Sequence, residues 1–222
     1  MAIYHLSVKI GSRANGNSAV ASASYRSAEK LHSQTDNKTF DYTRKQAVIY
    51  TEIMLPENAP EEYADREILW NGVEMSEKQA NAQLYREFEI SLPNECTRDE
   101  QIEMTRRFAD SLRQEGMCVD IAIHDVKAGQ YRTKHRKTTT DNCHAHILCT
   151  MRSLDGNGKF LAKRIRRYIL DPAGNKIPVL DKKGNQKVER KTGRKLWERE
   201  DVATNDWGSK EKVLEWRERW AD

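Results

Sequence analysis

The sequence lacks any run of about 18 apolar residues, the length that a helix needs to cross a membrane, so we expect no membrane span. Its opening, Met-Ala-Ile-Tyr-His-Leu, alternates as a strand does and lacks the basic and apolar regions of a signal peptide. We therefore expect a cytoplasmic protein.

Cysteine is also scarce. The four cysteines form no Cys-x-x-Cys pair, and a chain of 222 residues does not need disulfides to be stable. The sequence therefore indicates neither a disulfide framework nor a paired-cysteine metal motif.

Charged residues are abundant but unevenly placed. Hydrophobic residues make up 37% of the chain and charged residues 32%, and the net charge is +4. Residues 160–195 carry 12 Lys and Arg against 3 Asp and Glu, and a second basic group surrounds His135. Such segments suit a phosphate-rich partner, and a solvated surface is the alternative.

Three histidines stand in strand-like runs. His144 and His146 flank an alanine, and residues two apart on a strand point to the same face. A second run, Val-Asp-Ile-Ala-Ile-His, ends at His124. If the two strands are neighbours, three imidazoles meet and can bind one metal ion with a coordination position left open. A fourth ligand from Cys143 or Cys149, or a hydrogen-bonded histidine pair without metal, are the alternatives.

Ser18 is placed to cap a helix that we expect to run to about Ser33. Small residues fill its first turns, which lets the helix lie close to a sheet. At helical spacing one face of it would carry Ala21, Tyr25, Ala28 and His32. Tyr25 would then be a reactive side chain on a stripe of small residues, with a packing role as the alternative.

Hydrophobic periodicity predicts the order β-α-β-α-β-α-β-β, followed by basic hairpins and a terminal helix. We expect strands at 2–10, 48–55, 84–92, 118–126 and 144–152. We expect helices at 18–33, 60–77, 97–116 and 206–222, with a loop at 11–17 and a polar turn or hairpin at 34–46. The fold class is α+β: a central five-stranded, mainly antiparallel sheet flanked by helices, with a basic C-terminal hairpin and helix extension.

Four segments together resemble the MobA/MobL family of plasmid mobilisation relaxases, which nick single-stranded DNA at a transfer origin. They are MAIYHLSVKIGSRANGNSAVASASYRSAEK, LYREFEISLP, IAIH and NCHAHILCTMR. The resemblance covers about residues 1–152. It implies a relaxase catalytic core at 1–155 and a DNA-contacting extension at 156–222, within one domain. We also expect the natural protein to continue beyond residue 222.

The resemblance implies roles for individual residues. Tyr25 would be the nucleophile. The metal ligands would be His124, His144 and His146. Glu87 falls where relatives place an acidic residue beside these groups, with Glu89 as the near alternative and His135 as a competing ligand. Glu87 would either orient a histidine or accept the tyrosine proton.

The resemblance also implies a metal and a nucleic-acid partner. The metal would be divalent: Mn, Mg or another first-row transition metal. Single-stranded DNA at the origin would bind with tyrosine and tryptophan rings stacked on bases, and accessory relaxosome proteins would be further partners. We expect DNA contacts from Arg13, Arg26, Lys134, Arg136, Lys163, Arg164, Arg166 and Arg167.

The reaction expected of a relaxase is metal-assisted transesterification by tyrosine, which gives a 5′-phosphotyrosine and can be reversed. A rolling-circle replication initiator would use the same chemistry. A metal-dependent hydrolase of phosphoesters would attack with water instead, and a non-catalytic nucleic-acid-binding protein would not need Tyr25.

Overall fold

The computed structural model describes residues 5–127 and 142–222. Within these ranges the chain forms nine strands and four α-helices. In chain order they are β1 (Leu6–Ser12), α1 (Ala19–Ser27), β2 (Lys30–Ser33), β3 (Lys38–Asp41), β4 (Val48–Met54), α2 (Arg66–Ser76), β5 (Gln83–Ser91), α3 (Arg98–Gln114), β6 (Val119–Val126), β7 (Asn142–Thr150), β8 (Arg164–Tyr168), β9 (Arg199–Ala203) and α4 (Lys210–Ala221).

Five strands of the described chain form one sheet in the order β1-β5-β7-β6-β4, and every neighbouring pair is antiparallel. The predicted α+β class is confirmed, as are its five-stranded sheet, C-terminal hairpin and C-terminal helix. Because β6 and β7 pair directly, the two histidine strands lie side by side within the sheet.

One face of the sheet packs against α3 and α4. Thr97 and Glu100 form the predicted capping box at the start of α3, whose buried side chains include Phe108 and Leu112. Trp216 of α4 packs edge-on against Phe88 of β5, with ring centroids 5.2 Å apart. Residue alternation on β7 sends its apolar side chains, such as those of Ala145 and Ile147, to this core.

The other face packs against α1 and α2, with Val20, Leu69, Trp70 and Leu148 in its core. The first turn of α1 is fixed by the buried carboxylate of Glu74 on α2, which accepts hydrogen bonds from the Ala19 amide at 2.6 Å and the Ser18 hydroxyl at 2.9 Å. A carboxylate at this position complements the helix dipole.

The predicted helix at 18–33 is wrong in its second half. Ala28 adopts a left-handed conformation (φ 60°) that ends α1, and residues 30–33 form β2, paired with β3. The buried Ser24 hydroxyl donates to the Glu29 carbonyl at 2.7 Å, which favours the reversal. His32 therefore does not share a helical face with Tyr25.

Other boundaries also differ from the prediction. Gly11 and Ser12, predicted as loop, extend β1. The helix predicted at 60–77 begins as a 3-10 turn at Glu61–Ala64 and becomes α-helical only at Arg66. The hairpin predicted at 34–46 starts earlier, because β2 begins at Lys30.

Ala162–Asp206 forms a compact unit of its own, and the rest of the described chain, including α4, forms the other. In the smaller unit β8 pairs with β9. Isolated antiparallel bridges, such as Leu170–Lys176 and Leu180–Gln186, join the segments between these two strands. Asp171 and Asp181 each accept backbone N–H bonds two and four residues on, which closes two similar turns.

Within residues 5–127 and 142–222, the structure has no helix that combines the length and apolar character required of a membrane span.

A buried ion pair joins α2 to the sheet. The Arg66 guanidinium donates to both carboxylate oxygens of Asp120 at 2.8–3.0 Å, and the Trp70 indole N–H donates to the same carboxylate at 2.8 Å. Both charged side chains are less than 10% exposed. Because separating two buried charges would leave each of them without its partner, this network fixes α2 on the sheet.

Replacing Asp120 with alanine should lower the free energy of unfolding by about 3 kcal/mol, because the Arg66 guanidinium loses its buried partner and keeps only its ion pair with the partly exposed Glu29. Urea unfolding followed by circular dichroism would measure the loss. The control is Glu103→Ala, which removes an exposed pair with Arg107 on α3 and should cost at most about 0.5 kcal/mol. Equal losses in the two variants would contradict this account.

Candidate metal and nucleophile site

Three histidine rings converge on the α1 side of the sheet. His124 on β6 lies directly opposite His144 on β7, and His146 follows two residues later on the same face. The ring centroids are 4.8–5.3 Å apart, and one potential ligand atom from each ring lies within 4.8 Å of the others. The structure thus brings together the three histidines that the sequence singled out.

Each ring has one nitrogen held by an acceptor. His124 Nε2 donates to the Arg26 carbonyl at 2.7 Å, and His144 Nδ1 donates to the Asn142 carbonyl at 3.2 Å. His146 Nδ1 lies 2.7 Å from Glu87 Oε1. These acceptors fix the tautomers and leave the second nitrogen of each ring for a ligand, which is the usual arrangement around a metal-binding histidine. The donor set therefore fits a divalent metal.

Burial keeps two of the rings neutral. Burial lowers the pKa of His124 to about 3, and repulsion from Lys45, His146 and His144 adds to this, against the hydrogen bond to Arg26. Burial and repulsion from His146 also lower the pKa of His144. Neutral imidazole is the form that binds metal, so these two rings are ready to bind at neutral pH.

Glu87 supports His146 from β5. Burial raises the pKa of Glu87, but hydrogen bonds from His146 and Arg26 outweigh this and lower the pKa to about 2. Its two oxygens accept from Arg26 Nε and Nη2, each at 2.6 Å. Glu89, the alternative in the sequence, instead pairs with Lys9.

Arg26 connects the helix of the predicted nucleophile to the histidines. Its carbonyl holds His124, while its guanidinium holds Glu87 and so, indirectly, His146. Tyr25 is the preceding residue in α1, and its side chain is 48% exposed. The sequence indicated Arg26 as a DNA contact and gave no sign of this internal role.

The segment after β3 contributes two groups that the sequence did not single out. The Tyr42 ring packs edge-on against the Tyr25 ring, and the Lys45 ammonium lies over that ring. Both residues fall in a stretch predicted as a polar turn or hairpin, where no pattern distinguishes them.

Other predicted site residues lie elsewhere. The Arg13 guanidinium binds Glu74 and backbone carbonyls inside the protein, so its DNA contact remains a prediction without structural support. Cys143 and Cys149 pack in the core on the opposite face of the sheet, so a cysteine ligand is ruled out. Lys134, His135 and Arg136 lie outside the described residues.

The remaining predicted DNA contacts belong to the smaller unit. Lys163 precedes β8, which carries the other three: Arg164, Arg166 and Arg167. The expected stacking of tryptophan rings on bases is wrong for Trp70, Trp207 and Trp216, which are buried in the two cores.

The fold and the site define an α+β protein with a potential three-histidine metal site on an antiparallel sheet. The sequence profile of the MobA/MobL family matches residues 17–222. The chain belongs to the MobA/MobL family.

Curated relatives agree with this membership. "Probable mobilization protein MobA" of Bifidobacterium longum is 36% identical over 225 residues, which cover 100% of this chain and 38% of that protein. "Conjugal transfer protein TraA" of Agrobacterium fabrum is 34% identical over 93% of this chain and 17% of its own length. The chain thus spans well under half of these relatives.

A solved structure described as the molecular basis of vancomycin resistance transfer in Staphylococcus aureus is also similar. It superposes with a TM-score of 0.72 at 35% identity, covering 99% of this chain and 89% of that one.

Metal binding can be tested by calorimetric titration with Mn²⁺. Loss of a supporting carboxylate typically weakens metal binding about 10–100-fold, so we expect Glu87→Gln to lower the Mn²⁺ affinity by that factor. His144→Ala removes a ligand and should lower the Mn²⁺ affinity at least about 100-fold. His32→Ala is the matched control, since His32 contacts Thr39 in the β2–β3 hairpin. Unchanged affinity in His144→Ala would refute the assignment.

Proposed function

We propose that this chain is a relaxase domain that nicks single-stranded DNA at a plasmid transfer origin by metal-assisted tyrosine transesterification. The observation that carries the proposal is the link through Arg26, which joins the helix bearing Tyr25 to two of three converged histidines. Membership of the MobA/MobL family and the names of the relatives support the same reading. We place the reaction in the cytoplasm, where plasmid DNA lies.

The histidines His124, His144 and His146 would hold the metal. We expect Mn, Mg or another first-row divalent ion, and imidazole donors favour the transition metals over Mg. When bound, the ion would polarise a phosphate and neutralise charge that develops on its oxygens. The protein fixes the tautomer of each ring, so the rings do not have to reorganise when a metal binds.

Tyr25 would supply the nucleophile. Its hydroxyl oxygen loses its proton and bonds to phosphorus, the bond from phosphorus to the 3′ oxygen breaks, and that oxygen takes up a proton and leaves as a 3′-hydroxyl. The product is a 5′-phosphotyrosine. Because one phosphoester replaces another, the reaction can run backwards and rejoin the strand.

Glu87 would orient His146 instead of accepting the tyrosine proton. A carboxylate whose pKa is held at about 2 is a weak base, and both of its oxygens are already engaged by Arg26 and His146. We therefore favour the first of the two roles that the sequence left open, the orientation of His146.

The sequence suggested that residues 156–222 contact DNA. Because α4 packs in the core, we propose that DNA contacts outside the site come chiefly from residues 162–206. Arg166 and Arg167 are exposed on β8 and pair only with surface carboxylates of β9 in the described chain. Lys176 and Arg199 cover the Tyr168 ring, which favours phosphate contact over base stacking there.

Replacing Arg166 and Arg167 with alanine should reduce the salt dependence of DNA binding, because binding releases fewer counterions for each phosphate contact that is lost.

A rolling-circle initiator would share this chemistry, and a plasmid mobilisation assay separates it from a relaxase. Accessory relaxosome proteins are expected partners of the mobilisation reaction. A phosphoester hydrolase would use water, so its activity would not depend on the Tyr25 hydroxyl.

The direct test uses labelled single-stranded DNA from the transfer origin of the protein's own plasmid, with Mn²⁺, followed by denaturing electrophoresis. Wild type should form a protein–DNA adduct that survives SDS. Tyr25→Phe should form none, because the nucleophilic oxygen is gone, and His146→Ala should form at least about tenfold less.

The matched control is Tyr42→Phe, which removes the hydroxyl of the neighbouring tyrosine and should still form the adduct. Cleavage by Tyr25→Phe without any adduct would overturn the proposal in favour of a hydrolase.

A further inference from the structure

The chain after β3 folds back against the last turn of α1. The Tyr42 amide donates to the Glu29 carbonyl at 3.3 Å, and the Lys45 amide donates to the Tyr42 carbonyl at 2.9 Å. This turn carries Tyr42 and Lys45 to the side chain of Tyr25. We call these two residues the Tyr25 clamp.

The clamp holds Tyr25 at three points. The Tyr42 ring meets the Tyr25 ring at 90° with centroids 5.1 Å apart. Lys45 Nζ lies 3.9 Å from the centroid of the Tyr25 ring, and it donates to the Tyr25 carbonyl at 2.9 Å. One ammonium group thus contacts both the ring and the backbone of the same residue.

We propose that Lys45 is a positioning residue for the nicking reaction, which holds the Tyr25 ring in its attacking pose and places a positive charge over the ring whose oxygen attacks. The inference rests on the proposed function of Tyr25. Among the described residues, Lys45 forms no ion pair with a carboxylate.

The electrostatic surroundings agree with this role. Burial and repulsion from Arg26 lower the pKa of Lys45 to about 8. Arg26 of α1 is the charged group that repels Lys45, and the positive charge of Lys45 in turn contributes to the lowered pKa values of His124 and His144. A cation in such a partly desolvated place interacts strongly with negative charge that develops on the neighbouring phenol oxygen.

A merely structural role is the alternative. Lys45 also donates to a carbonyl in the last turn of α1, where a cation stabilises a helix. In that case its loss would lower stability but leave the rate of attack unchanged in the folded protein.

The test compares Lys45→Met with Lys45→Arg and measures two quantities on the folded protein. They are the single-turnover rate constant of adduct formation at saturating DNA, and the Kd for the same DNA without metal. We expect Lys45→Met to slow adduct formation at least tenfold with a Kd within twofold of wild type. Lys45→Arg, which keeps the charge and can stack on a ring, should recover most of the rate.

The matched control is Lys38→Met. Lys38 lies on β3 of the same hairpin, with its ammonium 5.1 Å from the centroid of the Phe40 ring, and its loss should leave both quantities unchanged. An unchanged rate in Lys45→Met would overturn the proposal. So would a rise in Kd that matches the fall in rate, because Lys45 would then be a phosphate contact.

Nuclear magnetic resonance of tyrosine-labelled protein separates this inference from the proposed function. If wild type forms no adduct, the function of Tyr25 is wrong, but the clamp is still measurable. We expect Lys45→Met to shift the Tyr25 ring resonance, assigned with Tyr25→Phe, and Lys38→Met to leave it in place. An unshifted Tyr25 resonance in Lys45→Met would show that Lys45 does not position the ring.

Discussion

The candidate site depends on the two-sided attachment of Arg26. Its carbonyl accepts a hydrogen bond from His124, and its guanidinium binds both oxygens of Glu87, which in turn accepts from His146. The pair is largely buried, with Arg26 17% and Glu87 5% exposed, so water competes little for these bonds. Charge-assisted, bidentate pairs of this kind fix direction as well as distance.

The remainder of the fold supports this attachment from two sides. Antiparallel pairing of β6 and β7 sets His124 directly opposite His144, with the ring centroids 5.3 Å apart. Glu74 holds the first turn of α1 at the other end of the helix from Arg26. Both ends of this short helix are therefore tied to packed elements, and Tyr25 directly precedes the residue that binds His124, even though its ring is half exposed.

Much of this could be predicted from the sequence, since it follows from local patterns. Strand alternation placed His144 and His146 on one face, and the capping box located the start of α3. The end of α1 could not be predicted in the same way, because Ala28 takes the left-handed conformation usually marked by glycine. The signal instead lay in Ser24, which bonds to a carbonyl after the helix.

The role of Arg26 was hidden for a different reason. Guanidinium suits phosphate and carboxylate equally well, and the Glu87 partner lies 61 residues away, so the sequence could not choose between a DNA contact and an internal pair. Lys45 posed the same difficulty, because its contact with Tyr25 depends on how the β2–β3 hairpin folds back.

The measurement that tests the central claim most directly is a comparison of Arg26→Lys with wild type in two titrations, with Mn²⁺ in the absence of DNA and with origin DNA in the absence of metal. Lysine keeps the charge but cannot bind Glu87 through two nitrogens. The account predicts that Mn²⁺ affinity falls by about tenfold or more while DNA affinity stays within about twofold. Unchanged Mn²⁺ affinity together with weakened DNA binding would contradict this account and would show that Arg26 contacts DNA instead.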